Sequence, residues 1–234
     1  MIRIHRIRGV AAALLITSIS IGLAGCASDG KKPKAAVPFH GPDPLEAIAA
    51  FAAEHPVDKS DPDWKRSVPR PPPSIAFDPN KTYYWFLNTG EGVIKIELKP
   101  AWAPRHVAST IYLTRLGFYN GLGFHRIIPQ FMAQGGDPAG DGTGGPGFRY
   151  AGEFHKKAKH DERGIVSSAN RGPRTDGSQF FILFKEQPSL DGRHTVFGEV
   201  VEGRGTLRAM EGLGSEKGEP RADIIIHRAE IFVE

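Results

Sequence analysis

One cation lies in a largely apolar stretch between residues 124 and 137, which reads Phe-His-Arg-Ile-Ile-Pro-Gln-Phe-Met-Ala-Gln-Gly-Gly-Asp. The cation is Arg126, and Gln134 follows it by eight positions. A guanidinium offers only hydrogen-bond donors, whereas an amide offers donors and an acceptor. Strand alternation predicts that Arg126 shares a face with Phe124 and Ile128. Because long charged side chains are seldom buried unless paired, this pattern indicates a donor kept for binding or catalysis.

Two further blocks follow in the chain. The second is Ser168-Ala169-Asn170 followed by Gly177-Ser178-Gln179-Phe180-Phe181, and the third is the run Leu-Asp-Gly-Arg-His-Thr-Val-Phe-Gly at 190–198. With the first block, they make the chain from about Tyr83 to Glu234 resemble the cyclophilins, a family of peptidyl-prolyl isomerases. Three dense motifs in the same order are a far more specific signal than one short pattern.

The resemblance implies a mainly β fold, a closed eight-stranded antiparallel β-barrel capped by two α-helices, with the proline site on its outer face. It also implies a catalytic set and a substrate pocket. The catalytic set is Arg126, Gln134, Asn170 and His194, and the pocket residues are Phe131, Met132, Ala169, Phe181 and Leu190. Ser189 stands where many cyclosporin-sensitive members have tryptophan, so only weak cyclosporin binding is expected.

The implied chemistry needs no cofactor. Rotation about an X-Pro bond faces a barrier of about 18–20 kcal/mol because the C–N bond is partly double. As the bond twists, its nitrogen regains a lone pair, and a donor such as Arg126 stabilises only that state. Two alternatives stay open: a binding module that holds proline-containing partners without turnover, and an envelope scaffold. Pure binding would not need a donor at the prolyl nitrogen.

Structural roles compete for several of these residues. Arg126 could be a surface arginine paired with an acid, and the four apolar residues Phe131, Met132, Phe181 and Leu190 could be ordinary core. His194 could be a metal ligand, but His155 and His160 lie five apart in a polar stretch and do not have metal-site spacing. We therefore predict no metal site and interpret His194 as a wall of the pocket.

A glycine-rich segment at 140–145 formally matches the dinucleotide fingerprint GxGxxG. The fingerprint needs a buried strand before it and a helix directly after it. Pro138 precedes this segment and Pro146-Gly147 follows it. The sequence therefore favours a loop beside the substrate groove.

The elements that must carry these residues follow from periodicity. Strands are predicted at 83–87, 93–98, 124–128, 131–134, 165–169, 180–184, 195–201 and 224–232, and helices from Pro104 and near 205–211. Many strands with only two helices favour a closed barrel over a parallel sheet. The predicted domains are a signal peptide at 1–25, a tether at 26–80 and an isomerase domain at 81–234.

The predicted tether contains 11 of the 19 prolines of the chain. Proline-rich segments favour extended conformations of about 3.1 Å per residue, so we expect the tether to hold the domain many tens of ångströms from a membrane. Residues 45–54 could form a short helix, either docked on the domain or only transient.

The N-terminus resembles a bacterial lipoprotein signal. Three arginines precede an apolar run at 10–23, and Leu-Ala-Gly-Cys follows at 23–26. The run is shorter than the about 20 residues of a spanning helix. We therefore expect lipidation of Cys26, anchoring in the bacterial cell envelope and, because Ala27 follows, location at the periplasmic face of an outer membrane. The alternative is a retained membrane helix.

Charge and cysteine content narrow the partners. Without the three arginines of residues 1–25, 27 basic residues stand against 26 acidic ones. With charges so evenly balanced, the sequence does not indicate a nucleic-acid-binding surface. Cys26 is the only cysteine, so no intramolecular disulfide can form. We expect a monomer whose partners are proline-containing polypeptides and, through the lipid, a membrane.

Overall fold

The structure is a computed structural model that describes residues 37–234. The predicted signal peptide, Cys26 and the first eleven residues of the predicted tether lie outside the described residues. The described part contains three α-helices, eight strands and two short 3₁₀ helices. The α-helices are α1 (Pro44–Glu54), α2 (Pro104–Arg115) and α3 (Arg204–Gly212), and the 3₁₀ helices are Trp64–Arg66 and Pro188–Leu190. The strands are β1 (Tyr83–Thr89), β2 (Gly92–Leu98), β3 (Arg126–Ile128), β4 (Met132–Gly135), β5 (Ile165–Ser168), β6 (Phe180–Leu183), β7 (Val196–Glu202) and β8 (Ile226–Val233).

The eight strands form one antiparallel sheet in the order β3-β4-β6-β5-β7-β2-β1-β8. This confirms the predicted mainly β fold with eight antiparallel strands. β3 and β8 are the two ends of this order, so the strand ladder itself leaves two edges. The segments that lead into them exchange backbone hydrogen bonds, with Phe124 donating to Ile224 and Ile226 donating to Leu122, both at 2.9 Å. Full barrel closure stays a prediction.

The main core follows from strict alternation in the first hairpin. On β1 the side chains of Tyr83, Trp85 and Leu87 are buried, and on β2 those of Ile94 and Ile96 are buried. Alternate residues of a strand point to opposite faces, so one face of the hairpin is apolar and packs inward while the other stays wet. This hairpin is the scaffold on which β8 and β7 pair.

Helix α1 is docked on the domain. Its N-cap Asp43 accepts hydrogen bonds from the backbone N–H groups of Leu45 and Glu46, which stabilises the first turn. Ile48 is fully buried in the main core. The ring of Phe51 meets that of Tyr112 on α2 edge-on, with 5.4 Å between centroids. The question that the sequence left open is thus answered in favour of a docked helix.

The rest of the segment before β1 also packs against the domain. Val68 is 1% exposed and belongs to the main core, and Trp64 meets Phe118 edge-on at 6.3 Å. Residues 37–80 therefore do not run free as the predicted tether does; they form one compact unit with the strands. Within residues 37–234, no helix combines the length and apolar character needed to cross a bilayer. The predicted boundary at residue 81 stays a prediction.

Candidate functional site

The five predicted pocket residues lie in one apolar cluster, separate from the main core. Met132 and Phe181 are buried, while Phe131, Ala169 and Leu190 are partly buried and pack against them. They come from β4 and the residue before it, from β6, from the residue after β5 and from the 3₁₀ helix at 188–190. A partly exposed apolar cluster on the outer side of a sheet can receive an apolar ring from solvent. The structure thus brings together residues that are 59 positions apart in the chain, from Phe131 to Leu190.

The register of three strands sets the polar residues beside this cluster. Arg126 on β3 pairs with Gln134 on β4, and Gln134 pairs with Phe181 on β6. Directly opposed residues have Cβ atoms about 4.5–5.5 Å apart and point to the same face. Exposure falls along this row, because Arg126 is exposed, Gln134 is partly exposed and Phe181 is buried. The guanidinium therefore stands at the open end of the row.

Arg126 was predicted to share a face with Phe124 and Ile128. This prediction is correct for Ile128 and wrong for Phe124. Phe124 precedes β3, which begins at Arg126, and it lies 2% exposed in the main core with Ile127. Ile128 packs on the pocket cluster, as expected for a residue two positions from Arg126. Simple alternation fails here because the strand starts only at Arg126. Arg126 is thus an exposed cation beside an apolar pocket, not a buried one.

A turn and a loop hold Arg126 in place. The β3–β4 turn has Pro129 and then Gln130, which adopts a positive φ of 61°. Its N–H donates to Glu211 at 2.9 Å, a bond that offsets part of the cost of a left-handed residue. On the other side, Gly218 packs so closely that a Cβ there would lie 2.9 Å from Cγ of Arg126. Phe131 completes the setting, with its ring centroid 6.0 Å from the guanidinium carbon.

Gln134 is held by Gln179, which belongs to the second sequence block but was not among the predicted site residues. Nε2 of Gln134 donates to Oε1 of Gln179 at 2.9 Å. The Gln179 amide in turn donates to the carbonyls of Gly142 and Gly144 at 3.0 and 2.8 Å. These carbonyls belong to the glycine-rich segment, which is a loop that lines a groove, as predicted. One N–H of the Gln134 amide is thereby engaged with Gln179.

His194 forms one wall of the cluster. Its ring meets that of Phe181 edge-on, with 5.4 Å between centroids. Nδ1 lies 3.0 Å from the carbonyl oxygen of Ser168, so Nδ1 carries the proton and donates. In the neutral ring, Nε2 is then an unprotonated acceptor.

A second histidine, His160, packs against the pocket residue Phe181. The sequence did not predict this role. His160 is 1% exposed, and its ring stacks on Phe181 at 6.1 Å and 20°. Its Nδ1 lies 2.9 Å from Asp191, and its Nε2 lies 2.9 Å from the hydroxyl of Ser167. Burial lowers the pKa of His160 below its ordinary value, and the hydrogen bond that His160 donates to Asp191 opposes this shift. The polar sequence around it gave no signal of this burial.

Asn170 sits in a tight turn next to the cluster. Its side-chain amide donates to the carbonyl of Arg193 at 3.0 Å and lies 3.4 Å from Asp176. Its Oδ1 accepts from the N–H of Gly172 at 3.2 Å. The side chain is therefore held by the turn, and Ala169 and Asn170 both line the groove.

The groove has a volume of about 620 Å³ and shares Gln134, Ala169 and Asn170 with the predicted site. Its far wall is the loop from Gly142 to Arg149, and Arg66 from the segment before β1 also lines it. Within residues 37–234, no three or more His, Cys, Asp or Glu side chains are arranged to hold a metal ion. The site thus consists of an apolar pocket, an exposed cation and a polar groove.

The chain is similar to known proteins of one family. Residues 84–231 match the family described as cyclophilin type peptidyl-prolyl cis-trans isomerase/CLD. A Helicobacter pylori peptidyl-prolyl cis-trans isomerase is 49% identical over 126 residues, which cover 53% of this chain and 77% of that protein. The Arabidopsis thaliana isomerase CYP18-2 is 42% identical over 149 residues, which cover 62% and 88%.

Other relatives are longer. The Arabidopsis thaliana isomerase CYP65 is 46% identical over 163 residues, 68% of this chain but only 27% of that protein. The chain thus spans about a quarter of the length of this and several similar relatives.

Solved structures give the same family. A crystal structure of a Cryptosporidium parvum cyclophilin type isomerase matches with a TM-score of 0.62 and 34% identity, over 64% of this chain and 98% of that one. The same protein in the presence of the dipeptide Ala-Pro matches with a TM-score of 0.61 and 35% identity. The chain belongs to the cyclophilin-type peptidyl-prolyl cis-trans isomerase family.

Proposed function

We propose that this protein catalyses the cis/trans isomerisation of X-Pro peptide bonds. The observation that carries the proposal is the row on which Arg126 stands opposite Gln134, and Gln134 opposite Phe181. This register puts an exposed guanidinium next to a partly open apolar pocket. A prolyl ring in the pocket would therefore present its nitrogen near a hydrogen-bond donor.

The energetics assign the donor a role in the transition state. The uncatalysed event takes tens to hundreds of seconds. A typical enzymatic rate requires the barrier to fall by roughly 4–7 kcal/mol. A hydrogen bond from Arg126 to the developing nitrogen lone pair contributes about 1.5–3 kcal/mol. The remainder comes from holding the flanking peptide and from an apolar pocket that favours the less dipolar twisted amide.

Each other site residue receives a role from its hydrogen bonds. Gln134 accepts a peptide N–H through Oε1, the only acceptor of its side chain, while its Nε2 donates to Gln179. Asn170 binds the peptide through its main chain, because its side chain is committed to the turn. The apolar ring of the substrate packs between Phe181 and His194, with Phe131, Met132 and Leu190 completing the pocket.

Exchange spectroscopy by NMR on an Ala-Pro peptide tests the activity directly. The full chain at catalytic concentration should broaden and exchange the cis and trans signals. The binding-module alternative predicts chemical-shift changes of the peptide without faster exchange. A protein that binds the peptide and leaves the exchange rate at its uncatalysed value would contradict the isomerase proposal.

We further propose that the protein is exported and anchored by a lipid on Cys26, as a monomer at the periplasmic face of an outer membrane, where proline-containing exported polypeptides are its substrates. The support is the basic start, the apolar run and the Leu-Ala-Gly-Cys sequence at 23–26. Residues 26–36 span at most about 40 Å when fully extended. Because residues 37–80 pack on the domain, this anchor would keep the site close to the bilayer.

Cell fractionation tests the anchor. Cys26→Ser should move the protein from the membrane fraction to the soluble fraction, because thioether attachment needs the sulfur. Ser28→Ala, two residues away, is the matched control and should stay with the membrane. Mass spectrometry of the wild-type protein should show acyl chains on Cys26. An unmodified Cys26, or a retained segment before it, would overturn this part of the proposal.

A further inference from the structure

We propose that the groove beside the proline pocket selects substrates that carry an acidic side chain near the proline, and that Arg66, Arg149 and Arg171 recognise its carboxylate. The inference deepens the proposed function, on which it rests, because it names the substrate class of the same site. Three observations carry it: the continuity of the groove with the site, the charge of its lining, and the origin of Arg66.

The groove begins where the pocket ends. Gln134, Ala169 and Asn170 line the groove, and the same residues flank the apolar cluster that contains Phe181. A peptide held by Gln134 and Asn170 with its proline against Phe181 therefore continues along the groove. A neighbouring side chain of that peptide enters about 620 Å³ of space, which is ample for an acidic side chain.

The lining carries positive charge without a compensating carboxylate. It includes three arginines and no aspartate or glutamate. Among the ion pairs within residues 37–234, none involves Arg66, Arg149 or Arg171. One guanidinium reaches directly across the groove, since Arg171 donates to the carbonyl of Gly142 on the facing loop. Guanidinium groups match carboxylates in a bidentate geometry.

Asp141, an exposed acid next to Gly142 in the facing loop, is already engaged in hydrogen bonds. Asp141 accepts a hydrogen bond from the hydroxyl of Thr143 at 2.6 Å and one from its backbone N–H at 2.7 Å. These two bonds, with a smaller effect of the positive charge of Arg66, lower the pKa of Asp141. Asp141 thus stays ionised beside the groove and tempers its positive charge, while three cations remain for one incoming carboxylate.

Arg66 comes from outside the family domain, because the family match begins at residue 84. Two anchors fix it. Trp64 packs on Phe118, and Val68 is buried in the main core. The chain between them lies against Gly147, where a Cβ would come within 2.8 Å of the Arg66 carbonyl and 2.9 Å of the Val68 carbonyl. The docked segment therefore adds a cation to the groove rim that residues 84–231 do not supply.

The test compares six peptides that differ only in the identity of one residue and in its place relative to the proline. Each contains one proline, with Glu, Gln or Lys either two residues before it or two residues after it. Dissociation constants for the full chain are measured by calorimetry at low salt and in about 0.5 M NaCl. An exposed ion pair changes an equilibrium by about 1.4- to 5-fold, so two or three together predict a preference of about 5- to 20-fold for Glu over Gln at one of the positions. Salt should reduce it, because such charges are screened.

Charge variants locate the effect. Arg66→Glu, Arg149→Glu and Arg171→Glu should each lower the Glu-to-Gln affinity ratio. The matched control is Arg70→Glu, because Arg70 is an exposed arginine on the same segment that does not line the groove. Arg70→Glu should leave the ratio at the wild-type value. Melting curves identify any variant that fails to fold, and the wild-type peptide series decides the question without a variant.

Two results would overturn the inference: equal affinity for Glu and Gln peptides at both positions, or a preference that survives when all three arginines are replaced. The proposed isomerase activity is tested by a separate measurement, the cis/trans exchange rate. Faster cis/trans exchange of all peptides without charge preference would reject only the groove inference. A charge preference in binding without faster exchange would support the groove inference and reject the isomerase.

Discussion

Nε2 of Gln134 donates to Oε1 of Gln179 over 2.9 Å, and this single bond joins the substrate row to the groove loop. Gln179 can accept it because its own amide protons are held by the carbonyls of Gly142 and Gly144. The orientation of both amides is thereby fixed. The loop, through Gln179, sets which atom Gln134 presents to a substrate.

Gln179→Ala should therefore lower kcat/KM for peptide isomerisation although Gln179 belongs to neither the pocket nor the catalytic set. The loss should be about 2- to 10-fold, which corresponds to one net hydrogen bond of about 0.5–1.5 kcal/mol. Asn88→Ala, an exposed amide on β1, is the control and should have no effect. An unchanged kcat/KM in Gln179→Ala would show that Gln134 is positioned without this bond.

Arg126→Ala should lower kcat by about 10- to 100-fold while the peptide affinity stays nearly the same, because its hydrogen bond forms mainly in the twisted state. Arg228→Ala removes an exposed arginine on β8 that pairs with Glu230 and should leave both values unchanged. Exchange spectroscopy gives the rates, and peptide titration gives the affinities. A loss of affinity with unchanged turnover would contradict the assigned role.

Ile48→Ala should lower the free energy of unfolding by about 2–5 kcal/mol, because Ile48 is fully buried in the main core. Val37→Ala is the control, since Val37 is 50% exposed and surface changes usually stay within about 0.5 kcal/mol. Urea unfolding measures both. Equal stability of wild type and Ile48→Ala would mean that α1 is a tether element after all.

A buried charge cluster predicts how stability depends on pH. Nδ1 of His106 lies 2.6 Å from Glu153, and Nε2 lies 3.5 Å from Asp176. Burial alone lowers the pKa of His106, but the two carboxylates outweigh it and raise the pKa above 6.5. Burial raises the pKa of each carboxyl, but the interactions with His106, and for Asp176 also with Ser168 and Asn170, hold both pKa values below their ordinary values of 4.5 and 3.8.

The pKa shifts of His106 and the two carboxyls together define one pH range of greatest stability. The contribution of His106 is complete below pH 6.5 and is lost as the pH rises through its folded pKa. The carboxylate contributions are complete above pH 4.5 and are lost as the pH falls through their folded pKa values. The cluster should therefore stabilise the fold most between pH 4.5 and 6.5. Glu153→Gln should flatten this maximum and lower stability there by about 1–3 kcal/mol.

Urea unfolding between pH 4 and 9 follows the effect. Glu91→Gln changes an exposed carboxyl in the β1–β2 turn and should keep the wild-type profile. A profile that Glu153→Gln does not alter would show that the cluster is not charged in the folded protein.

Ser189→Trp should tighten cyclosporin binding and change peptide turnover much less. Ser189 is exposed in the 3₁₀ helix at 188–190, next to the pocket residue Leu190. An indole adds a broad apolar contact and an N–H donor that a serine hydroxyl does not replace. Inhibition of isomerase activity is titrated for both proteins. Equal sensitivity would place residue 189 away from the drug.

Local signals in the sequence were sufficient to predict the family, the eight strands and the residues that meet at the site. Alternation on β1 and β2 and the order of the three motifs are local signals, since a strand shows its face through the next few residues. The predicted strands agree with the observed ones within two residues at every end. The strand register then aligns the site residues. Pairing of β3 with β4 and of β4 with β6 places Arg126, Gln134 and Phe181 in one row.

Roles that depend on partners distant in the chain follow only from the folded structure. His160 lies in a polar sequence, yet it is buried because Phe181 and Ser167 come from other strands. The proline-rich composition of residues 37–80 indicated a tether, but Ile48 and Val68 are buried against the strands. The proline content of a segment indicates how stiff the segment is by itself. Docking depends on an apolar surface that is formed by residues far away in the chain. For the same reason no local pattern could place Arg66 at the groove.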